Sequence, residues 1–263
     1  MKLLTLNCHS WQEVDQQHKI KVLAQEIKDK GYDVIALQEV SQPIDGDVVV
    51  QGLKEGNFVY ALLDALKAIG VTEYDFRWGF SHIGYEVYEE GLCLLSKHPI
   101  VEEQEFFVTK GHDTSCWKTR KIVKIAIDYK GKTIDFYTCH LGWWIDEEEP
   151  FKHQIDTLNV SINSKRLSFM MGDFNNNANV RYEGYDYMLS KGWVDTYTLA
   201  EEKDEGITVQ GKIDGWEKNQ AGLRIDLIWA NQPIKVLESQ VCFNGVNKEI
   251  VSDHFGVEME CEV

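Results

Sequence analysis

Asp173 and Asn175 stand two residues apart at the end of the apolar run Phe169-Met170-Met171-Gly172. Such a run reads as a buried strand delivering polar groups to a loop, and period-two spacing sets both side chains on one side of the backbone. A carboxylate there activates water or binds a hard cation, and an amide holds a phosphate oxygen or the attacking water. The same Gly-Asp-x-Asn stretch also makes an ordinary Asx-turn. Other segments have this form. Leu3-Leu4-Thr5-Leu6 runs into Asn7, Asp33 to Leu37 into Gln38-Glu39, and Ile134 to Cys139 into His140. Arg224 and Asp226 share one face of a run whose other face is Ile225 and Leu227, and Ser252-Asp253-His254 precedes the run Phe255 to Met259. Any one of these reads most simply as a turn cap; several converging strand ends are the expected site of chemistry in a layered α/β protein.

The elements that must position them alternate loosely. Ile20, Leu23, Ala24 and Ile27 mark a helix ending at Lys30-Gly31, and Asn57 caps a second helix carrying Phe58, Ala61, Leu62, Ala65, Leu66 and Ile69 and closed by Gly70. Gly91 to Ser96 reads as a buried strand. Lys121 to Tyr129 and Thr133 to Cys139 read as a hairpin turning at Lys130-Gly131. Pro150 opens a helix through about Val160, and Tyr185 to Leu189 forms a short one. Ser41 to Gly56 and Ala200 to Gly222 read as long loops beside Glu39 and Arg224, and loops of that length are usually functional. Hairpins with few helices predict an α/β (α+β) fold, a four-layer α/β/β/α sandwich of two packed, mostly antiparallel sheets, with residues 1–263 as one domain.

Composition narrows the partners. The 263 residues carry a formal net charge of −16, with 43 acidic against 27 basic side chains. Nucleic-acid binders usually show a basic footprint, so this balance disfavours DNA, RNA and anionic membranes and suits a small phosphorylated molecule. Lys118, Arg120 and Lys124 alternate onto one face, which either meets a phosphate or is a solvated strand face. No apolar stretch is long enough for a membrane span, and MKLLTLNCHSW reads as a first strand instead of a secretory signal. Six scattered cysteines without metal-type spacing read as reduced thiols of a cytoplasmic protein, and zinc at Cys8-His9 or Cys139-His140 is disfavoured. No obligate protein partner is evident.

Taken in order, Asn7 in LNCH, Glu39 in LQEV, His140 in TCHLGWW, Asp173 and Asn175 in GDFN, Asp226 in RIDLI and Asp253-His254 in SDH resemble the endonuclease/exonuclease/phosphatase superfamily. That is the fold of pancreatic deoxyribonuclease, abasic-site endonucleases, neutral sphingomyelinases and inositol polyphosphate phosphatases. LNCHSWQE, HLGWW with its acidic run and Pro150, and KIDGW before RIDLIWA resemble, more narrowly, the maltose 6'-phosphate phosphatases of Gram-positive bacteria. The resemblance implies a Mg²⁺-dependent phosphomonoesterase, with Mn²⁺ as a possible substitute, held by Glu39, Asp253 and Asn7. It implies that Asp173 orients or deprotonates water, that Asn175 holds a phosphate oxygen, and that His254 contacts phosphate or donates a proton, with Asp226 fixing its tautomer. His140 would be a second phosphate-binding imidazole, while His9, His18, His82, His98, His112 and His153 are left as structural. Trp143 and Trp144 are either a sugar platform or half-buried packing residues, with Trp11, Trp117 and Trp216 as further candidates. Arg224 either pairs with an acid or faces the phosphate. The alternatives are a nuclease or abasic-site endonuclease with the same catalytic groups, which a basic groove would mark, and a non-catalytic binding module, which would have lost a catalytic position. A membrane-acting sphingomyelinase is a lesser option.

Overall fold

A computed structural model describes residues 1–263. In chain order the main elements are β1 (Lys2–Asn7), α1 (Gln16–Lys30), β2 (Val34–Pro43), α2 (Phe58–Ala68), β3 (Asp75–Gly84), β4 (Tyr88–Ser96), β5 (Ile100–Phe107), β6 (Lys121–Tyr129), β7 (Lys132–His140), α3 (Phe151–Val160), β8 (Ser168–Asp173), α4 (Gly184–Ser190), β9 (Asp226–Ala230), β10 (Lys235–Cys242) and β11 (Gly256–Glu262). One sheet runs β10-β11-β1-β2-β4-β3, with the two-residue strand Glu202–Lys203 outside β10. The other runs β9-β8-β7-β6-β5, with Val194–Asp195 outside β9. Each sheet contains one parallel pair of long strands, β1 with β2 and β7 with β8, joined through α1 and α3 respectively.

The apolar strands are continuous because both of their faces are buried. Leu3, Val34, Ala36 and Leu94 meet Ile125, Phe136, Phe169 and Ile228 in the layer between the sheets. The alternate residues Leu4, Leu6, Ile35 and Leu37 pack under α1 and α2. On the other side Tyr137, Met170 and Trp229 pack under α3 and α4. The result is the four-layer α/β/β/α sandwich. Helix ends follow local chemistry: the Asn57 side chain accepts from Val59 N–H, and Gly31, at φ +63°, closes α1 by donating to Ile27 O.

The two expected loops are partly ordered into strands. β2 continues through Pro43, and Val48–Val50 turns back on Leu53–Lys54, while Val209–Gln210 pairs with Gly222–Leu223. β3, β5 and β10 carry no expectation from sequence; β5 is an edge strand whose Glu102 to Glu105 are exposed, so charge masks its pattern. All six cysteines are free thiols and only Cys116 is exposed. No helix is long and apolar enough to cross a membrane.

Candidate active site

The period that buries the central layer also builds the site. Leu3, Thr5 and Asn7 alternate onto the inter-sheet face of β1, as do Phe136, Thr138 and His140 on β7, and Phe169, Met171 and Asp173 on β8. Each strand is therefore apolar at depth and polar at one end, and these ends meet. His140 is the register partner of Asp173 across the parallel pair, and Asp226 its partner across the antiparallel one. Just below them a polar bridge ties the sheets: Gln38 Nε2 donates to Thr138 Oγ1 at 2.9 Å.

Two backbone irregularities aim the carboxylates. Strict alternation would send Glu39 to the opposite face from Gln38; instead the register of β2 shifts between Leu37 and Val40, and Glu39 takes φ +51°. Its Oε1 then accepts from Asn7 Nδ2 at 2.8 Å. At Gly172 φ is +145°, and a Cβ there would lie 1.9 Å from Cys139 O, so only glycine lets β8 lie this close to β7.

The pieces converge on a cleft of about 510 Å³. Asp173 lies at its floor: Oδ1 accepts from Asn175 N–H at 2.8 Å, and Oδ2 accepts from Asn7 Nδ2 at 3.3 Å. The Asx-turn and the site are thus the same object. Burial and the Asp226 charge push the Asp173 carboxyl up to about 7. His254 donates from Nδ1 to Asp226 Oδ2 at 2.9 Å and presents Nε2 3.8 Å from Asp173 Oδ2. Burial alone would depress its pKa, but the Asp226 and Asp173 carboxylates raise it to about 10, so the imidazole is a cation at neutral pH. His140 behaves oppositely. Burial and the Arg120 charge hold it well below 6.5, and its neutral ring has Nε2 3.8 Å from Asp173 Oδ2 and 4.0 Å from Glu39 Oε1.

Glu39 is raised by burial and by the charge of Asp253. Two hard carboxylates that repel one another are a donor set suited to a divalent cation such as Mg²⁺. Asn7, expected as a third ligand, instead donates Nδ2 to Glu39 and Asp173 while its Oδ1 accepts from His9 N–H at 3.2 Å, so it braces the carboxylates. Asp253 is braced from below: its backbone N–H donates to Glu13 Oε1 at 3.1 Å, and His9 Nδ1 lies 2.7 Å from that oxygen and 3.7 Å from Asp253 Oδ1. Although burial opposes it, Glu13 and Asp253 raise His9 to about 9.

Two groups in the cleft, Glu90 and His82, carry no sequence expectation of chemistry. Glu90, on the inter-sheet face of β4 with Leu92 and Leu94, has Oε1 3.7 Å from His140 Nδ1 and 3.3 Å from His82 Nε2. Burial and the Glu39 charge push it up to about 8. Period two from Leu92 and Leu94 is the signal that points to it. Arg120 lines the same wall, buried, whereas Lys118 pairs with Asp146 and Glu148, and Lys124 with Asp135. The three bases do not form one face.

Two expected substrate contacts lie elsewhere. Trp144 turns away from the cleft and packs on Phe151 and Tyr187 beside α3 and α4. Arg224 is buried, donates to Asp195 Oδ2 at 2.6 Å and lies over the Tyr197 ring, so its charge is spent on structure. Trp143 does line the cleft, edge-on to Trp117 with centroids 6.0 Å apart, and Tyr85 lines it too. Trp11 packs on Phe58. A larger groove, about 700 Å³, opens between β3 and the β5–β6 edge, but its Lys54, Arg77 and Lys121 are paired with Glu89, Glu103 and Glu105.

The family model of the Endonuclease/Exonuclease/phosphatase family matches residues 4–254. The chain belongs to this family. Among solved structures it is similar to an endonuclease/exonuclease/phosphatase family protein from Leptotrichia buccalis, with 42% identity over 100% of both chains and a TM-score of 0.95. A mannosyl-6-phosphatase from Bacteroides thetaiotaomicron shares the fold at 18% identity, covering 100% of both chains with a TM-score of 0.71. Truncated TDP2 from Caenorhabditis elegans does so at 16% identity, covering 100% of this chain and 97% of its own, with a TM-score of 0.65. No curated protein matches the chain.

Proposed function

We propose that this protein is a Mg²⁺-dependent phosphomonoesterase acting on a small phosphorylated sugar, of which maltose 6'-phosphate is the leading candidate. The observation that carries the reading is the cleft's division of labour: buried polar groups at its floor, and aromatic rings with the acids Asp214 and Glu217 around its mouth. Sugar rings stack on aromatic faces and their hydroxyls donate to carboxylates, while the same acids repel a polyanion. The mannosyl-6-phosphatase shares only the fold with this chain, yet its name describes the same substrate class.

In this reading Asp173, raised toward neutrality, accepts the proton of the attacking water, and Asn7 holds that carboxylate in place. The His254 cation, oriented by Asp226, meets a non-bridging phosphoryl oxygen through Nε2. Asn175 donates to another, and neutral His140 lines the same pocket beside the protonated Glu90. Glu39 and Asp253 would hold Mg²⁺, which supplies charge neutralisation of the phosphoryl oxygens when bound.

A phosphate-release panel in Mg²⁺ tests the assignment, with maltose 6'-phosphate, other sugar phosphates, inositol phosphates and an abasic-site duplex as substrates. Release should be fastest from a sugar phosphate and should stop in excess chelator. Incision of the duplex with no sugar-phosphate hydrolysis would transfer the protein to the nucleases.

A further inference from the structure

The segment from Thr208 to Leu223 does more than border the cleft. Its Val209 and Leu223 form a small core with the adjoining Ile225, and Ile213 and Trp216 pack against it. At its base Thr208 is tied to the site: its Oγ1 accepts from Asp226 N–H at 3.2 Å, and its carbonyl accepts from Phe255 N–H, next to His254, at 2.7 Å. At its tip Gly215, at φ +80°, lies so near Trp143 that a Cβ would be 2.3 Å from Cζ2. The following residue, Trp216, donates from Nε1 to Asn175 Oδ1 at 3.1 Å.

That last bond, together with the one Asn175 gives to Leu141 O, fixes which way the Asn175 amide points. An amide offers one acceptor and two donors, and the two ends exchange by a half-turn. With Oδ1 held by the Trp216 indole and one Nδ2 hydrogen given to Leu141 O at 2.9 Å, the second Nδ2 hydrogen remains for a ligand. Remove the indole N–H, and the alternative that turns Oδ1 toward a phosphate oxygen loses one of its penalties. Asn175 itself is buried, at φ +48°.

We propose that Trp216 is a positioning residue for Asn175, fixing its amide as a donor toward the phosphoryl group when the 208–223 segment is seated on Trp143. The inference rests on the phosphate-binding role proposed for Asn175. Its consequence is that the wall facing the sugar and the group facing the phosphate are one mechanical unit. A ligand that reaches Trp143 stabilises the segment that sets Asn175, so a phosphorylated sugar is favoured over a bare small ester.

The test is a double-mutant cycle of Trp216→Phe and Asn175→Ala, read on two probes in Mg²⁺. The first is inorganic phosphate, whose binding is measured by calorimetry. The second is hydrolysis of the sugar phosphate that the panel selects. Trp216→Phe keeps a ring on the small core and removes only the donor. It should weaken phosphate binding and lower kcat by about tenfold in the otherwise native chain, and change either by less than about twofold beside Asn175→Ala. Equal losses in both backgrounds would make Trp216 a packing residue and overturn the proposal, as would no loss in the native background. The phosphate arm separates this result from the substrate assignment: coupling in phosphate binding without any sugar-phosphate turnover supports the positioning role and refutes the substrate.

Discussion

Asp173 and His254 sit 3.8 Å apart with opposite protonation demands, the first raised to about 7 and the second to about 10. Asp173→Asn and His254→Ala should each lower kcat by roughly 10²-fold or more, the scale of a lost base or charge stabiliser, while far-UV circular dichroism stays native. Near-native kcat in either variant would remove that residue from the chemistry. Both were legible as candidates in sequence because each borders an apolar run, Asp173 at the end of one and His254 at the start of another. Glu90 and His82 were not, since their significance lies in one another: a neutral His82 donates from Nδ1 to Thr119 O at 3.0 Å and faces Glu90. Trp144 and Arg224 each kept two readings open for the complementary reason, because sequence adjacency does not say which side of the chain a ring or a guanidinium takes; the structure takes the packing and the ion-pair alternatives. Burial, then Arg120, drives His82 down to about 3, far below the 6.5 of an exposed imidazole. Its proton therefore binds the unfolded chain more readily. The resulting stability is complete above about pH 6.5 and is lost as pH falls toward 3, amounting to roughly 2 kcal/mol already lost at pH 5. His82→Gln should flatten the acid side of the stability profile between about pH 6.5 and 4, measured by urea unfolding against the native chain. Identical slopes would show that His82 titrates normally.

At the scale of elements, the site depends on how closely β8 lies to β7. Gly172 is the point of contact: its φ of +145° and the 1.9 Å approach of a virtual Cβ to Cys139 O exclude any side chain. Gly172→Ala should cost about 3 kcal/mol or more in denaturant unfolding and should lower activity beyond the loss of folded protein, because Asp173 is the next residue. A variant as stable and active as the native chain would mean that the strands can part without consequence. The architecture was largely readable from sequence: caps at Asn57, Gly31 and Pro150, the Lys130-Gly131 hairpin, and runs too apolar to face water on either side. What escaped were β3, β10 and β5, the last hidden by exposed glutamates, and the bulge that turns Glu39. A bulge is set by pairing to β4 across the sheet and leaves no mark in the local sequence.

The whole molecule sets the terms on which a phosphate can approach. A net charge of −16 is concentrated in part at the cleft, where Glu39 is raised by burial and by Asp253. A cation bound there offsets that repulsion in the folded state alone, so Mg²⁺ at 100 times its dissociation constant should add about 2.7 kcal/mol to unfolding free energy. Glu39→Gln should lose most of this Mg²⁺-dependent gain while unfolding normally in chelator; an undiminished gain would place the cation elsewhere. The same field separates the two substrate classes by their response to salt. A protein gripping a duplex through 6–10 phosphates loses about 10³–10⁵ in affinity between roughly 50 and 200 mM salt, as released counterions are paid back. A sugar phosphate carries about two charges, which in the proposed reading would be met by His254, Arg120 and a bound cation, while the surrounding acids would repel it from outside the cleft. Salt screens that outer repulsion as well as the inner attraction, and the buried pairs are screened least. The KM for a sugar phosphate, at saturating Mg²⁺, should therefore change by less than about threefold across that range, and a fluorescent duplex should not be retained at its upper end. A KM that climbs by orders of magnitude with salt, together with measurable duplex binding at its low end, would mean that a polyanion is the natural ligand.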